Sequence, residues 1–257
     1  MTNPALLARL IIKQDEWKCH KRMLPVKMLT QPDETTCGPT SLHALYDYYG
    51  DSISLEDVVS QVSYLEEGGT LAVMLACHAL KRGYEVTIYT YNLVVFDPTW
   101  FHKGINLQEK LTEQRHYKND EKIRRASNAY IEFLNLGGEI RFEDLRPSLL
   151  KKYFSQGMPI LTGLSATYLY KTTREYVNDR NQIVYSDVKG IPAGHFVVLC
   201  GYDRTKRHVV VADPYHENTI SGDNYYAVRL GRLLNSIMLG VLTYDANFMI
   251  IRPNKKR

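Results

Sequence analysis

Near residue 138 the spacing of apolar residues changes from the period of a helix to that of a strand, and no other feature of the chain constrains its fold as strongly. Before that point, Leu42, Leu45, Tyr46 and Tyr49 recur at i, i+3, i+4 and i+7 after Pro39, and Gly50 supplies the stop. Ser54 followed by Asp57 is a variant capping box that opens a second helix through about Val62. Leu71, Met74, Leu75, His78 and Ala79 repeat at helical spacing from Thr70 as far as Arg82-Gly83. A β-branched and aromatic run at 84–91 reads as a strand, residues 92–120 are less regular, and a helical pattern over 121–136 stops at Gly137-Gly138. Beyond it, strands are predicted at 139–142, 159–166, 195–202, 208–213, 225–230 and 247–252, with helices at 146–155 and 231–238. The stretch 174–187 reads as a hairpin turning at 178–181. Helices first and mostly antiparallel strands afterwards is the α+β pattern, in which the two halves pack face to face and leave a cleft between them.

A chain of 257 residues, 44% hydrophobic and 23% charged, can bury roughly 70–75% of its unfolded surface, so its core needs neither metal nor disulfide. Cys19, Cys37, Cys77 and Cys200 are widely separated, form no C-x-x-C pair and follow no secretory leader, which argues against a disulfide framework or a cysteine-rich zinc site. The net charge of +4 is partly terminal, in Arg252, Lys255, Lys256 and Arg257. Short clusters such as Arg124-Arg125 and Lys151-Lys152 do not make the basic, aromatic-interleaved stripe that a nucleic-acid partner requires. The apolar run at 5–12 is broken by Arg9 and too short for a membrane span, so a cytoplasmic location is expected. Nothing in the sequence specifies an oligomeric state.

The chemistry concentrates at 31–50. Cys37 stands immediately before a Gly-Pro that opens a helix, and Pro is favoured in a first turn, where its missing N–H has no partner. The sulfur then sits at the positive end of the helix dipole, where free N–H groups favour a thiolate, the nucleophilic form. Gln31, six residues earlier on a polar, turn-prone loop, offers amide N–H groups that can join the Cys37 backbone N–H in holding the oxyanion of a tetrahedral intermediate. A base must come from elsewhere. His195 begins an apolar strand, and Asp213 ends the next one. If those strands pair about a turn centred near residue 204, position 195 faces position 213, and Asp213 can fix the imidazole tautomer. Taken singly, each residue has a plainer explanation: a small buried cysteine, a surface glutamine, an edge-strand histidine, a turn-starting aspartate. Their combination does not.

With these motifs in hand the sequence resembles a papain-fold cysteine peptidase, and within that superfamily family thirty-nine of the cysteine peptidases, whose relatives include bacteriocin leader-processing domains. The resemblance rests on Q-x5-C-G-P at 31–39, G-H-F-V-V-L at 194–199 and A-D-P at 212–214, and spans roughly residues 24–215. It implies a helical front lobe packed on a mostly antiparallel back-lobe sheet, with the active site in the cleft. It also implies Cys37 as nucleophile, His195 as general base and acid, Asp213 as orienter and Gln31 as oxyanion donor, acting on a peptide or protein substrate with no cofactor or metal. Two departures stand out. The stretch from Cys37 to His195 is longer than in the compact leader-processing domains, with the excess at 92–145 and 168–192, and the 257 residues carry neither an exporter span nor a P-loop. One domain is expected over 1–257: an N-terminal helical extension at 1–23, a helical lobe at 24–91, an insertion at 92–145 and a sheet lobe at 146–257. The excess segments are where substrate choice is expected to be decided. The same machinery also fits an acyltransferase or transpeptidase, and a catalytically silent fold would leave a peptide-binding module.

The remaining candidates read as structural. His43 lies one position off its helix's apolar face, and Cys77 and His78 are adjacent on a helix, pointing about 100° apart, with no further ligand at i+4. Cys200 fits a small buried strand residue, and Trp100 and Phe101 fit hydrophobic anchors of a long insertion more readily than a substrate wall. Cys19-His20, His208 and His216 have no partner that the sequence identifies.

Overall fold

The computed structural model describes residues 22–65, 69–180 and 182–254. The helical extension expected over 1–23, with Cys19 and His20, lies outside the described residues except for the short strand β1, Arg22–Met23.

Helix α1, Cys37–Tyr48, buries Leu42, Leu45 and Tyr46 on the predicted face, and Gly50, at φ +79°, turns the chain out of it. Helix α2, Leu55–Gln61, starts where the Ser54 hydroxyl accepts the Asp57 N–H at 3.0 Å. Helix α3, Ala72–Lys81, has no cap of its own; Asp245, far along the chain, accepts the Ala72 N–H at 3.0 Å. After β2, Tyr84–Thr90, come a 3-10 turn at Pro98–Phe101 and the helices α4, Leu107–Tyr117, and α5, Glu121–Asn135. There follow β3, Glu139–Arg141, α6, Pro147–Ser155, β4, Ile160–Ser165, and a one-turn helix α7, Ala166–Tyr170. The hairpin of β5, Glu175–Val177, and β6, Ile183–Tyr185, precedes the long strand β7, Gly194–Asp203. The chain closes with β8, His208–Ala212, β9, Tyr225–Arg229, α8, Leu230–Leu239, a 3-10 turn at Gly240–Thr243, and β10, Asn247–Pro253. Among the described residues no helix is long and apolar enough to cross a membrane.

The fold is the expected α+β arrangement around a sheet ordered β3-β2-β10-β4-β7-β8-β9, with β1 beside the end of β7. Only β2 and β3 run parallel; the other pairs in this sheet are antiparallel. The strand at 84–91, which the sequence groups with the helical half, lies inside this sheet, so the two halves share one hydrogen-bonded layer. Helices cover both faces. Phe196, Val198 and Cys200 of β7 pack with Leu42, Leu75 and Phe133 of α1, α3 and α5. The alternate residues Val197 and Leu199 pack with Leu150, Leu169 and Ile237 of α6, α7 and α8. The 92–145 segment contributes to the first core: Phe96, Leu111 and Phe133 are buried, and Phe96 meets the rings of Trp100, Phe101 and Tyr130. Trp100 and Phe101 are therefore anchors.

One irregularity decides what β7 and β8 can do together. Near the turn, Tyr202 pairs with Val209 and Gly201 with Val210, but past a bulge at Cys200 the register becomes Leu199 with Val211 and Val198 with Ala212. Side chains alternate with period two, so a one-residue slip exchanges faces. An unbulged ladder would put His195 and Asp213 on opposite faces of the sheet. The bulged one puts them on the same face, diagonal to one another and not directly opposite as the turn arithmetic predicts.

Candidate active site

Cys37 is the first residue of α1 and is half-buried. The loop leading to it folds on Asp33, whose carboxylate accepts the Thr35 N–H at 2.7 Å and whose carbonyl accepts the Thr36 hydroxyl at 3.0 Å. No side chain caps α1, so its first-turn N–H groups remain available to a ligand beside the sulfur. Helix and strand approach closely here. A Cβ at Gly38 would stand 2.6 Å from Thr70 Cγ2 and 3.2 Å from Phe196 Cδ2. The Ser41 hydroxyl donates to the Phe196 carbonyl at 3.1 Å, tying α1 to β7 one residue beyond His195.

His195 is buried, with Nε2 at 2.7 Å from Asp213 Oδ1 and Cys37 within hydrogen-bonding reach, which leaves Nδ1 for the sulfur. Burial alone would lower its pKa, but the charges of Asp213 and Cys37 outweigh burial and push the imidazole up to about 10. Asp213 is fully buried and fully bonded. Its Oδ1 takes the imidazole and the Tyr215 N–H at 2.9 Å, and its Oδ2 takes the hydroxyls of Tyr170 at 2.7 Å and Tyr226 at 2.6 Å. Burial pushes this carboxyl up; the His195 charge and the hydrogen bonds overcome that and hold it below the ordinary range.

Gln31 joins the same site through its backbone, whose N–H donates to the Pro214 carbonyl at 3.0 Å, directly after Asp213. Its Nε2 donates to the Asp33 carbonyl at 2.8 Å, which uses one amide hydrogen and leaves the second. Gln31 and His195 both line a cavity of about 440 Å³ shared with Tyr170, Glu175, Tyr185 and Tyr215.

All four residues singled out by the sequence thus gather at one end of the sheet. Tyr170 and Tyr226 were not foreseen. Tyr226 sits opposite Val211, two residues before Asp213 on the neighbouring strand, a placement that only the register of β8 and β9 reveals. Of the other candidates, Cys77, His78 and Cys200 serve the fold. Burial pushes the thiols of Cys77 and Cys200 up to about 12, and His78 bonds the Tyr46 hydroxyl at 2.8 Å. Among the described residues no three His, Cys, Asp or Glu side chains cluster as metal ligands.

Comparison with known proteins places this geometry in context. A sequence profile of the Peptidase_C39 like family matches residues 23–229. No curated protein sequence matches the chain significantly. Among solved structures, the chain is similar to a protein from Bacillus anthracis described as a C39-like peptidase, with 14% identity and a TM-score of 0.46 over 92% of this chain and 99% of that one. It is similar also to a double glycine motif protease from an AMS/PCAT transporter, crystallised with the leader peptide (14% identity, TM-score 0.42, 93% and 97% covered). A further likeness is to xylellain, a cysteine protease from Xylella fastidiosa (15% identity, TM-score 0.42, 92% and 86% covered).

Proposed function

The chain belongs to the Peptidase_C39 like family and is a cysteine-type peptidase, and from that premise we propose that it cleaves amide bonds in peptide substrates through Cys37, His195 and Asp213, with Gln31 assisting. The observation that carries this reading is the position of His195, bonded to a buried carboxylate on one side and within reach of a helix-terminal cysteine on the other. The Cys37 thiolate adds to the scissile carbonyl, and the carbonyl oxygen, now negative, takes hydrogen bonds from the Cys37 backbone N–H and the free amide hydrogen of Gln31. Protonated His195 gives its proton to the departing amine as the C–N bond breaks, leaving a thioester. Water, deprotonated by His195, then attacks the thioester, and the thiolate leaves. Asp213 keeps the imidazole in one orientation throughout and stabilises its protonated form.

Two measurements test this. Cys37→Ala is expected to abolish peptide cleavage with an unchanged circular dichroism spectrum; retained turnover would overturn the mechanism. Iodoacetamide at about pH 6 is expected to alkylate Cys37 far faster than Cys77 or Cys200, whose thiols are buried and protonated. Equal, slow labelling at all three would favour a silent peptide-binding module, and products extended by an added amine would show acyl transfer.

A further inference from the structure

The cavity beside His195 continues onto one face of the β5–β6 hairpin. In that hairpin Glu175 opposes Tyr185, Tyr176 opposes Val184, and Val177 opposes Ile183. Alternation therefore puts Glu175, Tyr185, Val177 and Ile183 on one face, and because Glu175 and Tyr185 line the cavity, this is the face turned to the site. Val177 and Ile183 carry it outward as an apolar strip, 61% and 39% exposed, next to Tyr185 at 62%. Among the described residues, neither Val177 nor Ile183 belongs to a hydrophobic core.

The cavity wall itself is acidic. Glu34 reaches it from the loop before Cys37 and Glu217 from the loop after Asp213, joining Glu175, and the charges of all three act on both Tyr185 and Tyr215. Burial and then the Glu34 charge hold the Glu175 carboxyl above its ordinary range, the charge of His195 opposing them only in part, so Glu175 and Glu34 crowd one another. Against the three stand Lys171, an exposed side chain at the end of α7, and the protonated His195, which still leave the wall net negative.

We propose that this face and cavity dock an extended stretch of the substrate peptide, a lysine or arginine entering the cavity and an aliphatic residue two positions away resting on Val177 and Ile183. The proposal rests on the reading of the chain as a peptidase acting through Cys37. A cationic head meets Glu175, Glu34 and Glu217, while its methylene stem lies along the rings of Tyr185 and Tyr215, which also favour a cation over their faces. The spacing agrees. Glu175 and Val177 are two strand residues apart, roughly 7 Å, which is also the distance between alternate side chains of an extended substrate. An acidic side chain in the same place is repelled.

The test uses internally quenched decapeptides of otherwise randomised sequence in which one position at a time is fixed as lysine, norleucine or glutamate. At the position that occupies the cavity, wild-type enzyme is expected to cleave the lysine set about tenfold faster than the norleucine set, measured as kcat/KM, and the glutamate set more slowly still, with the ratio shrinking as salt is raised. Glu175→Gln combined with Glu217→Gln should bring the lysine-to-norleucine ratio close to one, whereas Glu113→Gln on α4 should leave it as in wild type. Val177→Ser with Ile183→Ser should erase selection for an aliphatic residue two positions from the basic one. Cleavage without a cation preference, or with one that survives the double glutamine change, overturns the docking proposal alone. If wild-type enzyme cleaves none of the peptides, the peptidase reading fails and takes the docking proposal with it.

Discussion

Asp213 accepts four hydrogen bonds and shows no surface to solvent. The division of those bonds is what matters: Tyr170 and Tyr226 occupy Oδ2, so Oδ1 is the atom presented to the imidazole. Two predictions follow at this scale. His195 must be protonated to release the leaving amine, and its pKa is raised to about 10, so the active form persists through neutral pH and is lost as pH rises through that value. The alkaline limb of kcat/KM is therefore expected near pH 10, in a protein whose circular dichroism is still native; a limb near the unperturbed value of 6.5 would contradict it. The second concerns acid. Asp213 is held below its ordinary range, so its contribution to stability is present above the unfolded value and lost as pH falls through the depressed one. Tyr170→Phe or Tyr226→Phe removes one donor to Oδ2 and lets the carboxyl rise. Each variant should unfold at a higher pH than wild type on acidification, and should lose about tenfold in kcat with KM little changed, because the imidazole is less firmly held. An acid transition that does not move would show the hydroxyls to be passengers.

Between elements, the distance from nucleophile to base is set where α1 crosses β7. Gly38→Ala places a methyl 2.6 Å from Thr70 Cγ2 and 3.2 Å from both Leu75 Cδ1 and Phe196 Cδ2, so the start of the helix and the side chains around it must shift apart. Such overpacking costs about 1–3 kcal/mol, and because the displaced helix carries Cys37 away from His195, kcat should fall further than the urea midpoint alone implies. A variant with lowered stability but wild-type kcat would mean that this crossing does not set the geometry. The same contrast between local and distant causes explains which elements the sequence discloses. Helices α1, α3 and α5 follow from apolar spacing and their stops, α2 follows from its Ser54 cap, and the Gln31-to-Pro39 motif is contiguous, so its parts are read together. Helix α4 buries only Leu111 and Gln114, and its other apolar residues, Leu107 and Tyr117, stand at its two ends, which leaves too short a stripe to detect. Helix α7 continues the run at 159–166 in residues as suited to a strand, and only the Ser165 hydroxyl, accepting the Tyr168 N–H, marks where it begins. The bulge at Cys200 has no local signature at all. It is visible only in the pairing of β7 with β8, which is why the inferred partnership of His195 and Asp213 is right in kind and two residues off in register.

Across the whole molecule, the two excess segments have separate fates. Residues 92–145 supply buried side chains to the first core and none to the cavity, whereas 168–192 supplies Tyr170, Glu175 and Tyr185 to the cavity wall, so of the two only the second lines the cavity. The first core is joined to the sheet at its far end by Asp245. Its carboxylate caps α3 through the Ala72 N–H, and its backbone packs where a Cβ on Gly163 of β4 would come within 2.5 Å of its carbonyl oxygen, just ahead of β10. One group thus touches the front helices, the central strands and the last strand. Burial raises its carboxyl from 3.8 to about 7, the Ala72 N–H and the Lys122 charge only partly opposing. Between those two values the folded chain holds a proton that the unfolded chain has released, so this group makes global stability fall as pH rises through the window, and its full penalty is present above about 7. Asp245→Asn keeps an acceptor for the Ala72 N–H and carries no charge. Relative to wild type it should therefore be more stable at pH 8, by up to a few kcal/mol, with the difference closing as pH falls toward 4. Urea unfolding of both proteins at a series of pH values measures this directly. A constant difference, or a variant less stable at pH 8, would show that the buried carboxylate is compensated by the fold and does not tax it.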